Sequence, residues 1–221
     1  EPPAPVLTVV WTQGDGNLLA WREDDPTPRQ IASGGVIRPY LSPDGAHIAF
    51  TRGAQGDAIS LWMVGSDGTG ERELVAPGVI PSIRDGHPQI DRVAWLDDQT
   101  VYFDTYQRHE SGISRDDNLY RVALDGAPEL ILPPGSGGEF ALSPDGQHIT
   151  VVRAGSYDMQ KGSVAILDPR GVEIDEKLTF TAISAPSEAP FYPPPAWSAD
   201  STFVRVPIPA RDTDRVALWR I

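Results

Sequence analysis

Cysteine is absent from the 221 residues, which excludes disulfides, thiolate metal sites and a cysteine nucleophile. No run approaches the roughly 18 apolar residues that a spanning helix requires, so this segment is not expected to insert in a membrane. Positive charge is scarce. Lys and Arg total 18 against 31 Asp and Glu, which gives a net charge of −13 and a pI near 4.6. Such a chain repels phosphate backbones, so nucleic acid is not an expected partner and a basic protein or peptide is favoured. Catalytic signatures are missing too. There is no G-x-S-x-G elbow, since "PGSGGE" (134–139) does not fit it, and there is no P-loop. "SDGTGERE" (66–73) lacks the last glycine of a dinucleotide fingerprint. No catalytic residue, no cofactor and no metal site is predicted, and the chain is expected not to be an enzyme in itself.

What the chain has in quantity is turn formers, with 21 Gly and 22 Pro. Two stretches, "LSPDGAHIAF" (41–50) and "LSPDGQHITV" (142–151), nearly repeat each other. In Ser42-Pro43-Asp44-Gly45, Pro presets the backbone for the second position of a type I turn. Asp tolerates the third, and Gly takes the left-handed position that follows. The apolar run "HIAFTR" then leaves as a strand, so the stretch reads as a hairpin. Weaker copies keep the register at "VAWLDDQTVYFDT" (93–105) and "PAWSADSTFVRV" (195–206). The intervals between Ser42, Leu96, Ser143 and Ser198 approach fifty residues, a period typical of propellers and arrays. Each unit holds a second hairpin, turning at Asp67-Gly68, Asp125-Gly126 or Pro169-Arg170-Gly171. Four antiparallel strands per unit make a propeller blade. The six tryptophans recur in these strands, and blade core is their expected place.

"AWSAD", "LSPDG-x-H-I-x-F/V" and the following "DG" turn resemble the WD40-like (PD40) repeats of TolB-type β-propellers. The predicted fold is therefore all-β, a β-propeller of four-stranded antiparallel blades. About five blades are represented, near 6–32, 36–77, 90–133, 138–181 and 193–221, with the first and last incomplete. Residues 1–5 read as a Pro-rich linker, and 6–221 as one propeller domain. TolB-type rings usually have six blades, and "RVALWRI" stops in mid-blade. The expectation is a fragment, or a ring completed by another chain or segment.

Long segments on a rigid scaffold are where binding residues usually lie. The PDG and DG turns are short and share one face. The other face collects the segments 76–89, 105–117, 153–162 and 183–195, all read as loops. They carry the candidate partner-binding residues Arg84, Asp85, His87, Tyr106, Arg108, His109, Glu110, Arg115, Tyr157, Phe191 and Tyr192. Aromatic and Arg side chains together have the chemistry of interface hot spots. His47 and His148 follow the PDG turns at equivalent positions and are read as scaffold. His109-Glu110 lacks the second His of a zinc helix, and the pairs Asp24-Asp25, Asp97-Asp98 and Asp116-Asp117 lack the spacing of a calcium loop. The expected function is a non-enzymatic interaction or sensor module. It would bind a protein or peptide through the long-loop face, and the TolB resemblance with the "EPPAP" start would imply a place outside the cytoplasm, in a bacterial sensor or assembly domain. The alternative is the substrate-gating propeller of a prolyl-oligopeptidase-like serine peptidase whose catalytic domain lies outside this chain. "RHESGISRDDNLY" is faintly similar to what such propellers carry.

Overall fold

A computed structural model describes residues 7–54, 57–153, 161–181, 192–209 and 216–220. Tyr157 and Phe191 lie outside them. The described residues are all strand, turn and connection, with no helix. They form five antiparallel sheets. The first is β1 (Thr8–Thr12), β2 (Leu18–Arg22) and β3 (Arg29–Ala32). The second is β4 (Val36–Leu41), β5 (His47–Ala54), β6 (Asp57–Gly65) and β7 (Arg72–Val75). The third contains β8 (His87–Trp95), β9 (Thr100–His109), β10 (Gly112–Arg115), β11 (Leu119–Ala123) and β12 (Glu129–Leu132). The fourth is β13 (Glu139–Leu142), β14 (Ile149–Arg153), β15 (Lys161–Leu167) and β16 (Glu173–Thr181). The fifth is β17 (Ala196–Trp197), β18 (Val204–Pro209) and β19 (Val216–Arg220). These sheets are the blades of a β-propeller fold.

The chain divides into two compact units, Glu1–Arg115 with Arg121–Glu129, and Asp116–Tyr120 with Leu130–Ile221. In the first, Leu18, Ala20, Ile31, Val36, Ile48, Phe50 and Val64 form one core. In the second, Val152, Val164, Ile166, Phe180, Val204, Val206 and Ile208 do the same. Burial of such side chains stabilises by about 1.5–3 kcal/mol each, and the alternation of the strands places them on one face.

The repeated turns have the same wiring. Ser42 N–H donates to His47 O (2.8 Å) and Gly45 N–H to Ser42 O (2.9 Å), with Gly45 at φ 71°. Ser143 and Gly146 repeat both bonds, with Gly146 at φ 69°. In the degenerate copy, Ser201 stands in the glycine's place at φ 57° and donates to Ser198 O. The copy at Leu96 differs by being one residue shorter, closing on Thr100 O. The turn at Ser42 is laced to the one at Leu96, and the turn at Ser143 to the one at Ser198. Asp44 N–H donates to Asp98 (2.9 Å), and Asp145 N–H to Ser201 Oγ (3.0 Å). Trp95 Nε1–H donates to Tyr40 O (2.9 Å) and Trp197 Nε1–H to Ala141 O (3.3 Å). The His47 and His148 rings lie against these two tryptophans. The PDG stretch is therefore a joint between sheets as well as a hairpin. The tryptophans refine one expectation: Trp11, Trp21, Trp62, Trp95 and Trp197 are half-buried, with Trp62 and Trp197 packed against the edges of the two cores. Their indole N–H groups need partners, which suits the rim better than the interior.

Both turn types lie at one end of the blades. Ser66 N–H donates to Ala46 O (2.8 Å) in the second sheet, and Leu124 N–H to Gln99 O (2.9 Å) in the third. The opposite end holds the start of β8 and the end of β9.

Candidate functional site

Segment 105–117 is not the loop that its polar composition suggested. β9 runs on through Tyr106, Gln107 and Arg108 to His109, turns at Glu110-Ser111, and returns as β10. Here β8 pairs with one edge of β9, leaving β10 and β11 to share the other. His87, also read as a loop residue, is the first residue of β8. Cross-strand register sets His87, Arg108 and Ile113 in one row, and Gln89, Tyr106 and Arg115 two rows further along, past Pro88, Gln107 and Ser114.

The segment before β8 closes onto this hairpin. Gly86 N–H donates to Ile83 O (3.0 Å), and the two residues between them, Arg84 and Asp85, have φ of 51° and 58°. Two left-handed central residues make a type I′ turn, which ordinarily takes Asn-Gly. Side chains other than Gly, Asn and Asp rarely adopt that backbone, so Arg84 in particular is strained. The fully buried Gln107 clips the turn down: Ile83 N–H donates to its Oε1 (3.3 Å), and its Nε2 donates to Pro81 O (3.5 Å). Ser82 Oγ–H donates to Gly86 O. A Cβ on Gly86 would stand 2.6 Å from Gln107 Cβ and 2.7 Å from His109 Cε1, so only glycine lets the turn approach β9 this closely.

The result is an open pocket of about 510 Å³ lined by Arg84, Asp85, His87, Arg108, His109 and Glu110. Six of the eleven candidate residues thus come together. Arg108 is held by Asp57 of the neighbouring sheet (2.6 Å), and His109 Nε2 lies 2.9 Å from Ser114 Oγ. The side chains of Arg84, Asp85, His87 and Glu110 make no ion pair or hydrogen bond with described residues. The pocket therefore presents unpaired charges of both signs on a backbone that is held in place.

Tyr106 and Arg115 stand two rows further in. There, Asp104 is 2 % exposed. It accepts hydrogen bonds from the backbone N–H (2.8 Å) and guanidinium of Arg92, and Arg115 Nη2 lies 3.7 Å away. Burial pushes the Asp104 carboxyl above the ordinary carboxylate range, against the pull of Arg92. Sequence reasoning missed Asp57, Arg92 and Asp104. Only the β-bulge at Asp91-Arg92, where the register shifts between Ile90 and Val93, leaves a trace in the pattern "QIDRVAW". Tyr192 is not gathered into the pocket. It belongs to the second unit, where its hydroxyl donates to Asp117 (2.6 Å). A second open cavity of about 500 Å³, lined by His47, Met63, Thr69, Glu71 and Arg72 among others, lies at the turn end and was not foreseen. Among the described residues no group of three or more His, Asp or Glu converges as a metal site, and no helix is long and apolar enough to cross a membrane.

No protein-family model and no curated protein sequence matches the chain. Solved structures do match, and they share the β-propeller fold. The β-propeller domain of Swd1 from Myceliophteria thermophila superposes with a TM-score of 0.52 at 10% identity, covering 96% of this chain and 66% of that one. A TolB-type protein of Agrobacterium tumefaciens gives 0.50 at 16%, covering 99% and 78%. A puromycin hydrolase mutant complexed with PGG gives 0.56 at 17%, covering 90% and 34%, so the chain spans about a third of that hydrolase's length. Similarity at these identities defines the fold alone.

Proposed function

We propose that the chain is a non-catalytic propeller module that binds a protein or peptide through the face bearing the β8–β9–β10 pocket. One observation carries this: a strained turn, clipped to β9 by the buried Gln107, displays the exposed side chains of Arg84 and Asp85 beside those of His87, Arg108 and Glu110. Strain of this kind persists where surrounding structure over-determines it, which is typical of binding sites. Action outside the cytoplasm is part of the same reading, supported by the TolB-type repeats. A pull-down comparing wild type with Arg108→Ala/His109→Ala tests it. Loss of capture is expected, and undiminished capture overturns the assignment of this face. Periplasmic recovery of an epitope-tagged gene product would be expected on cell fractionation.

A second reading is favoured by the likeness to puromycin hydrolase over 90% of this chain. The propeller would then gate substrate to a hydrolase domain. Labelling of the full gene product by a fluorophosphonate serine-hydrolase probe would support that reading, and its absence would favour the binding module.

A further inference from the structure

The chain as a whole is strongly acidic, which by itself favours a basic partner. The pocket is different. Arg108 is already committed to Asp57, which leaves Arg84 on one side and Asp85 and Glu110 on the other. A ligand carrying one sign of charge would meet either Arg84 or the two carboxylates, and not both. We infer that the pocket takes a short zwitterionic peptide, its carboxylate against Arg84 and its ammonium group against Asp85 and Glu110. This rests on the reading of the same face as the binding face, and narrows its ligand to a small molecule with two charged ends.

Size agrees. A volume of about 510 Å³ falls within the range of small-ligand sites and suits a peptide of about two to three residues. Preorganisation agrees as well. The type I′ turn holds Arg84 and Asp85 on adjacent residues, and its position is fixed by Gln107 and by the closeness of Gly86 to β9. A backbone that need not be ordered on binding loses less entropy when the ligand arrives, which leaves the side-chain rotamers as the ordering cost. Unpaired charges of both signs on the free protein are the complement of a ligand that brings its own pair.

Calorimetric titration with trialanine, its N-acetyl derivative and its C-terminal amide tests the inference. Trialanine is expected to bind, and blocking either end should weaken it about tenfold, the loss of one charge-assisted contact. Two variants keep the left-handed backbone and remove one charge each. Arg84→Gly should reduce trialanine to the affinity of its amide, and Asp85→Asn should bring it towards that of the acetylated peptide. Equal binding of free and blocked peptides, or no binding of trialanine, overturns the inference. If trialanine fails while Arg108→Ala/His109→Ala still abolishes partner capture, the docking face stands and only the zwitterion is lost. If capture also survives those substitutions, both fall.

Discussion

Replacing Arg84-Asp85 by Asn-Gly should make the protein more stable while emptying its pocket of function. The wild-type turn holds two non-glycine residues at φ 51° and 58°. The left-handed conformation costs an L-residue about 1–2 kcal/mol, with Asp at the lower end because its short polar side chain tolerates it. The variant Arg84→Asn/Asp85→Gly supplies the pair that a type I′ turn prefers. Against the relief stands the extra freedom that glycine gives the unfolded chain, about 0.5–1 kcal/mol. A net gain of about 1 kcal/mol is expected. Neither side chain forms a hydrogen bond or ion pair with described residues, so no contact is lost in exchange. Urea denaturation followed by tryptophan fluorescence reads this as a higher midpoint at unchanged slope. In a thermal scan it corresponds to roughly 2–4 °C for a chain of this size. The same protein should no longer bind trialanine. A midpoint that is unchanged or lower at constant slope would refute the strain assignment, and with it the idea that stability is given up here to display charge.

Three further outcomes follow from the same geometry. Gly86→Ala drives a methyl group to within 2.6 Å of Gln107 Cβ, and should destabilise by about 1–3 kcal/mol in the same urea assay. Gln107→Leu keeps the buried volume but leaves Ile83 N–H and Pro81 O without their partner, costing about 1–3 kcal/mol. The Ile83 amide should then exchange hydrogen faster than in wild type. The third concerns acid. The Ser143 hydroxyl, with the Gln147 amide, holds the Asp145 carboxyl below the ordinary carboxylate range. A depressed folded value means that its contribution is present above about pH 4, the unfolded value, and is lost as pH falls through the lower folded one. Asp145→Ala should lower stability at neutral pH and make the decline below pH 4 shallower, as read by denaturation midpoints across pH. An unaltered acid profile would count against the hydrogen-bonded carboxylate.

The contrast between segments 41–50 and 105–117 shows which physics reaches the page as sequence. Pro, Asp and Gly act on their own backbone, so the turns at Ser42 and Ser143 were legible and their equivalence gave the repeat. The strands that leave them are apolar runs buried on both faces, as at Ile48, Ala49 and Phe50, and were legible from those runs. Val101 to Thr105 are all buried, but beyond Thr105 the apolar run ends: the buried residue is Gln107, and β10 exposes all four of its residues. A strand with no apolar face leaves no period-two signature, so the hairpin passed for a loop. Arg84-Asp85 passed likewise, since neither residue announces a type I′ turn.

Local backbone preference and apolar periodicity in the chain were thus enough to specify the blades, their turns and the β-propeller class. The gathering of Arg84, Asp85, His87, Arg108, His109 and Glu110 into one pocket depended on three-dimensional proximity. Gln107 reaches back 24 and 26 residues to clip the turn, and Asp57 reaches Arg108 from a neighbouring sheet. Hydrogen bonds and ion pairs of that span have no spacing rule. They form because packing brings the partners within reach, and packing belongs to the folded molecule alone.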